Sequence, residues 1–265
     1  MSRISTIFQS LHANGRTGLM PFITAGYPSL DVTLQTLPLL EAAGASIVEI
    51  GIPFSDPIAD GPVIASSMHE ALISGITPAR IFEGIARVRH ETTLGLLGMV
   101  SYSIIRRMDD SAFVNACADA GFDGLIVPDI DLDDAATLRD LASERGLSFT
   151  CLVAPTSSSE RIEKIVRACT GFVYVLARTG ITGEQNDSPE IEGVVERVRA
   201  ATDLPIAVGF GVSTADHVAA VTRHADAAIV GSALVRRMGE SDDPVGAARD
   251  FVSQLVRGLQ PAQTV

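Results

Sequence analysis

Eight times along the chain a short apolar run is followed by an amphipathic stretch, and this alternation restricts the fold more than any other feature. The runs lie at 18–24 (GLMPFIT), 46–52 (SIVEIGI), 95–101 (GLLGMVS), 123–128 (DGLIVP), 148–153 (SFTCLV), 172–177 (FVYVLA), 205–209 (PIAVG) and 226–230 (DAAIV). Each is short and rich in aliphatic residues, as buried strands are. The amphipathic stretches lie at 30–43, 63–90, 110–120, 133–145, 159–168, 189–201, 214–223 and 243–258. Eight strand–helix units within 265 residues predict a single closed (β/α)8 barrel, the TIM barrel, spanning 1–265. A doubly wound open sheet also alternates strand and helix but usually has fewer strands.

Two helices are predicted beyond the eight units. Ile4, Ile7, Phe8 and Leu11 fall at helical spacing and Asn14-Gly15 stops them, which places a helix across the bottom of the barrel. The stretch 63–90 is too long for one helix and is divided at Gly75 and Thr77-Pro78, with Thr77 as N-cap and Pro78 at the first helical position. Pro38 predicts a kink or break in the helix at 30–43. The tail after Gly258 is predicted to be loose.

A hydrophobic content of 46% with only 5% aromatics and no Trp gives a core of Ala, Val, Ile and Leu, as in parallel sheets covered by helices. A net charge of −12 argues against nucleic acid and anionic membrane surfaces as partners. An anionic ligand would need a local site built from backbone N–H groups and a helix N-terminus. Cys117, Cys151 and Cys169 form no C-x-x-C pair and read as small buried hydrophobes in a reducing cytoplasm. No apolar stretch approaches the ~18 residues of a membrane span, and the first residues show no signal-peptide pattern.

In such a barrel, chemistry belongs at the C-terminal ends of the strands. Glu49 lies between Ile47, Val48, Ile50 and Ile52 on the second strand. A carboxylate there is desolvated and its pKa rises, which suits acid–base work near neutral pH. The same placement also suits a structural carboxylate paired with a neighbour. The loop that follows, Pro53 to Pro62, carries three prolines and both Asp56 and Asp60. Asp60, just before Gly61-Pro62, is either a ligand for the substrate or the cap of the next helix. Phosphate signals follow the last three strands: Thr179 to Gly183, Gly209-Phe210-Gly211 and Gly231-Ser232. Phe22, Tyr102 and Tyr174 are further pocket candidates, Phe22 and Tyr174 equally readable as core. Asp129 reads as a cap for the helix at 133–145.

Two chemistries are disfavoured. The one lysine, Lys164, sits on a helix away from any strand end, so a Schiff-base mechanism has no amine. The five histidines lie in or beside predicted helices without metal-ligand spacing, so no metal site is expected. Carboxylates, tyrosines and backbone dipoles remain.

These residues are similar to a known family. The segment Val48-Glu49-Ile50-Gly51-Ile52-Pro53-Phe54-Ser55-Asp56-Pro57-Ile58-Ala59-Asp60-Gly61-Pro62 resembles the signature of tryptophan synthase alpha subunits. Pro21-Phe22, Gly124 to Asp129, Thr179 to Gly183, Gly209-Phe210-Gly211 and Gly231-Ser232-Ala233 agree with it as well. The resemblance implies reversible cleavage of indole-3-glycerol phosphate to indole and glyceraldehyde 3-phosphate. It implies Glu49 as general acid–base and Asp60 as partner of the indole N–H. Tyr174 would lie near that pair, and Phe22, Val100 and Tyr102 would shape the substrate pocket. Thr182, Gly183, Phe210, Gly211, Gly231 and Ser232 would bind at the phosphate end. The resemblance further implies an α2β2 complex in which pyridoxal phosphate belongs to the beta partner and no cofactor to this chain. Contact with that partner falls at Asp56, at Asp131 and in the loops after the third and fourth strands. The chain departs from the family pattern at Ser103-Ile104-Ile105-Arg106-Arg107 and at Asp131, both on that implied contact. A stand-alone indole-releasing lyase would use the same residues. A module that only activates its partner would not need Glu49 and Asp60.

Overall fold

The structure is a computed structural model and describes residues 2–56, 61–177, 191–209 and 211–262. All of its sheet is parallel and runs in the order β5-β4-β3-β2-β1-β9-β8-β7-β6. The strands are β1 (Gly18–Thr24), β2 (Ile47–Gly51), β3 (Gly95–Met99), β4 (Gly124–Ile126), β5 (Ser148–Thr150), β6 (Leu152–Val153), β7 (Val173–Leu176), β8 (Ile206–Gly209) and β9 (Ala227–Val230). β5 and β6 are two pieces of the fifth predicted strand, interrupted at Cys151. The first pairs back to β4 and the second forward to β7, so the chain itself closes the ring and the eight-unit barrel stands. At the interruption the backbone N–H of Cys151 donates to Cys169 Sγ at 3.3 Å. Beside it, Thr170 Oγ1 accepts from Phe149 N at 2.8 Å. Side-chain bonds replace the missing ladder there.

Strand alternation sorts the side chains into two cores. Met20, Ile47, Leu97, Ile126, Phe172, Tyr174, Ala207, Ala227 and Ile229 face one another inside the barrel. Their neighbours, among them Leu19, Val48, Leu96, Leu125, Val173, Val208 and Ala228, face the helices and form the larger core. The first helix, α1 (Arg3–Ala13), adds Ile4, Phe8 and Leu11 to the inner cluster. It plugs the bottom as its spacing predicts.

After β1 comes α2 (Leu30–Ala42), which runs through Pro38 unbroken. Leu34, Leu37 and Leu40 bury one face of this helix. At about 2 kcal/mol for each buried leucine, their packing outweighs the hydrogen bond the proline removes. β2 leads to α3 (Pro62–Ile73) and α4 (Pro78–Val88), divided as the sequence indicates. Thr77 Oγ1 accepts from Arg80 N at 3.3 Å and Gly75 adopts φ +81°. Between β3 and β4 there are two helices rather than one, α5 (Tyr102–Met108) and α6 (Asp110–Ala120). α7 (Leu132–Glu144), α8 (Ser159–Ala168), α9 (Glu192–Arg199) and α10 (Ala215–Thr222) follow their strands. α11 (Ser232–Glu240) and α12 (Pro244–Leu255) end the barrel. The segment after Gly258 is not loose as far as Ala262. Gln260 O accepts from Thr17 Oγ1 at 2.6 Å, and Ala262 N donates to Gly15 O at 3.0 Å.

Candidate active site

Glu49 is the one acidic side chain fully enclosed among the described residues, with 0% of its surface exposed. It shares the inward face of β2 with Ile47 and Gly51 and stands level with Phe22 of β1 and Leu97 of β3. Neither carboxylate oxygen has a hydrogen-bond partner among the described residues. Burial drives its pKa well above the usual carboxylate range, because an unpaired charge inside the barrel is far costlier than a neutral acid. The alternative reading, a carboxylate paired with a neighbour, finds no partner there.

The mouth above Glu49 is shaped by what its glycines leave open. A Cβ on Gly51 would lie 2.5 Å from Cζ of Phe22, so the missing side chain gives the Phe22 ring its place over β2. A Cβ on Gly209 would lie 2.6 Å from the Tyr174 hydroxyl. Tyr174, 7% exposed and on the inner face of β7, therefore lies across the end of β8. These close approaches are what Gly51 and Gly209 are for. Phe22 continues outward into a small cluster with Ile64 and Met68 of α3 and Val235 of α11, against which Tyr27 and Met99 pack.

Next to this aromatic wall, after β9, comes polar backbone. Gly231 precedes α11 and supplies no side-chain cap. Leu234 N and Val235 N donate to Gly231 O, whereas by helix geometry the N–H groups of Ser232 and Ala233 have no intrahelical acceptor and point along a dipole that favours an anion. Ser232 opens that turn, and a Cβ on Gly231 would lie 3.7 Å from Phe22 Cβ. The helix terminus and the aromatic wall are therefore adjacent. Gly211 adopts φ +82° in the neighbouring loop.

Two further expected pocket residues, Val100 and Tyr102, do not join the inner cluster. Val100 packs in the outer core with the helices, and Met99 is the residue of that segment that faces inward. Tyr102 sits on the rim at the start of α5, its ring 5.9 Å from the Arg106 guanidinium and its hydroxyl donating to Asp110 at 3.4 Å. Asp129 does not cap α7. It accepts from Ser101 Oγ at 2.6 Å and from Tyr102 N at 2.8 Å, and so fixes the start of α5. Asp56 and Asp131 are both exposed, and Asp131 is the N-cap position of α7. Asp60, Thr182, Gly183 and Phe210 lie outside the described residues. Lys164 forms an exposed ion pair with Glu160 on α8. Among the described residues no cluster of His, Cys, Asp and Glu could hold a metal ion, and no helix is long and apolar enough to cross a membrane. The sequence reading missed Met99, Tyr27 and the spatial role of Gly209. For Gly209 a signal was available, since a glycine ending a barrel strand marks a close approach.

This geometry has close parallels. The chain matches the family model for the tryptophan synthase alpha chain over residues 8–261. The tryptophan synthase alpha chain of Halorhodospira halophila is 44% identical over 96% of this chain and 93% of its own. That of Chloroflexus aggregans is 41% identical over 98% of this chain and 99% of its own. Among solved structures, Mycobacterium tuberculosis tryptophan synthase superposes with a TM-score of 0.90 at 32% identity, over 97% of this chain and 98% of the other. The tryptophan synthase alpha chain of Legionella pneumophila gives 0.88 at 30% identity, over 97% of each. Extensive identity along nearly the whole chain, joined to the same barrel, makes this protein a member of the tryptophan synthase alpha chain family.

Proposed function

We propose that Glu49 moves the protons by which indole-3-glycerol phosphate is cleaved to indole and glyceraldehyde 3-phosphate. As a tryptophan synthase alpha chain the protein is a lyase of tryptophan biosynthesis. One observation carries the role of Glu49: a carboxyl group wholly buried at the floor of the mouth, with both oxygens unpartnered among the described residues and its pKa pushed up by burial. Because burial makes it hold its proton to higher pH than an ordinary carboxyl, it can give that proton to the indole carbon that bears the side chain. The ring nitrogen then carries the positive charge and becomes the electron sink. The carboxylate left behind takes the proton of the adjacent side-chain hydroxyl. The carbon–carbon bond breaks, its electron pair restores the aromatic ring, and the hydroxyl carbon becomes the aldehyde. Glu49 ends protonated, as it began. No amine is needed, in keeping with a single lysine that sits on an outer helix.

Phe22, Tyr174 and Met99 border the space the indole would fill. Asp60 is the group proposed to hold the indole N–H and stabilise its developing charge. Gly211, Gly231, Ser232 and the α11 terminus are proposed to hold the phosphate, with Thr182, Gly183 and Phe210 completing that end. A tryptophan synthase beta subunit is the proposed partner. It would dock through Asp56, Asp131 and the α5 rim that carries Tyr102, and pyridoxal phosphate is assigned to it rather than to this chain.

The test is indole release from indole-3-glycerol phosphate by the full chain, alone and with a beta subunit. The expected result is slow release alone and strong acceleration with the partner. Full turnover without any partner would identify a stand-alone lyase. No indole under either condition would overturn the reading.

A further inference from the structure

Tyr27, in the loop after β1, packs beside Phe22 where α3 and α11 meet, and no part of the cleavage chemistry uses it. Its side chain packs against the cluster formed by Phe22, by Ile64 and Met68 of α3 and by Val235 of α11. A Cβ on Gly239 of α11 would lie 2.0 Å from its hydroxyl and 3.0 Å from Cζ. The phenol therefore fills the notch left by Gly239. Its pKa is raised first by burial and then by Glu70 of α3 and Glu240 of α11, which face it from the two helices. The same short segment grips α3 a second time, through a buried 2.7 Å hydrogen bond between Thr24 and Ser67 hydroxyls. On its other side α11 is held to α12 by the Arg237 guanidinium, 4.2 Å from the Phe251 ring centroid. A nine-residue helix clamped at its last turn and one side moves as a rigid body. Its first turn is the one beside Gly231.

We infer that Tyr27 is a positioning residue: wedged against Gly239, it sets the tilt of α11 and thereby where the helix terminus meets the phosphate of the substrate. This rests on the phosphate role proposed above for Gly231 and Ser232. A methyl group at position 239 cannot coexist with the phenol, so either the ring leaves the cleft or α11 moves away. In both cases the terminus shifts while Glu49, on β2, stays where it is. Removing the hydroxyl removes the 2.0 Å clash and leaves the ring edge at 3.0 Å, a contact relieved by a shift of a few tenths of an ångström.

The experiment compares Gly239→Ala, Tyr27→Phe and the double variant, each as full chain assayed with the beta subunit. Gly239→Ala is expected to raise KM for indole-3-glycerol phosphate about tenfold with kcat changed by less than about twofold, and the double variant to recover to within about threefold of the unsubstituted protein. Inhibition by inorganic phosphate weakens in step with KM. If Gly239→Ala does not fold, Tyr27→Leu shortens the wedge while keeping an apolar side chain and is expected to raise KM likewise. An unchanged KM in Gly239→Ala overturns the inference. So does a fall in melting temperature alone, or a double variant as weak as Gly239→Ala when Tyr27→Phe by itself is normal. Failure of the underlying reading looks different, because the unsubstituted chain then releases no indole.

Discussion

Asp226 and Glu49 are carboxylates enclosed by the same barrel, but among the described residues only Asp226 has partners. Asp226, just before β9 at the closed end, accepts from His12 Nε2 at 2.7 Å, from Arg199 at 3.0 Å and from Ile206 N at 2.7 Å. Asp123, just before β4, repeats the arrangement with Arg3 at 3.2 Å, Arg89 at 3.0 Å and Leu96 N at 2.9 Å. Each aspartate takes one bond from a strand, one from a helix end and one from α1. The plug is thus pinned near both of its termini. At the mouth, Glu49 takes none from the described residues. A satisfied buried carboxylate holds structure, whereas a buried carboxyl without partners stores free energy that a ligand can use. The two ends divide the work of a barrel into stability below and chemistry above.

Substitutions at the two ends should therefore fail in different assays. The largest effect is expected for Glu49→Gln, which keeps the shape and removes the proton donor. Cleavage should fall by about a thousandfold or more, within the range assigned to general acid–base groups. The variant should fold and bind its partner. Indole release measured beside a thermal melt checks both, and unchanged cleavage would remove Glu49 from its role. Next is Gly209→Ala, whose methyl group meets the Tyr174 hydroxyl and, at 3.0 Å, Ile229 Cβ. Pushing Tyr174 into the mouth should cost kcat/KM about a hundredfold, with partial rescue by Tyr174→Phe. A silent Gly209→Ala would mean that the ring has room to move aside.

At the closed end the expected order reverses. Asp226→Ala leaves the Ile206 N–H without its acceptor and Arg199 without its carboxylate, with only the His224 carbonyl left to it among the described residues. Because Arg199 and His12 are each more than a third exposed, solvent compensates part of the loss, leaving about 2 kcal/mol of destabilisation. The urea midpoint should fall while kcat/KM per folded molecule stays the same. A fall in kcat/KM with no shift in the midpoint would contradict the division between the two ends.

The closed end was the more legible of the two. Ile4, Phe8 and Leu11 announce the plug by spacing alone, and eight apolar runs announce the barrel, because burial imposes a period that survives in sequence. The mouth is written differently. That Glu49 faces inward follows from alternation, but whether it has a partner depends on residues from distant strands, which no local pattern records. Val100 and Met99 show the same limit: at the end of a strand, one residue of phase decides which core a side chain joins. α5 escaped notice because seven residues, YSIIRRM, span too few turns to show a period. Pro38 misled because its local penalty is smaller than the packing around it. Asp129 reads correctly as a cap, but the helix it caps is α5, reached across the barrel rim and not along the chain.

The smallest effect expected is in stability against pH, and it isolates the storage of free energy at Glu49. Its folded pKa lies well above the ordinary 4.5 because burial penalises the ionised form. Between 4.5 and that raised value the unfolded chain has released the proton and the folded chain still holds it. The unfolded state then binds fewer protons, so stability falls as pH rises through this window. Below the window both states are protonated and Glu49 adds no pH dependence. Glu49→Gln cannot titrate, so it should match the unsubstituted protein at the acid end of the window and become progressively more stable by comparison as pH rises. Paired urea melts across the window measure the difference. A difference that stays flat with pH would mean that the carboxyl group is hydrated or partnered in solution, and Glu49 would then belong with Asp226 rather than opposite it.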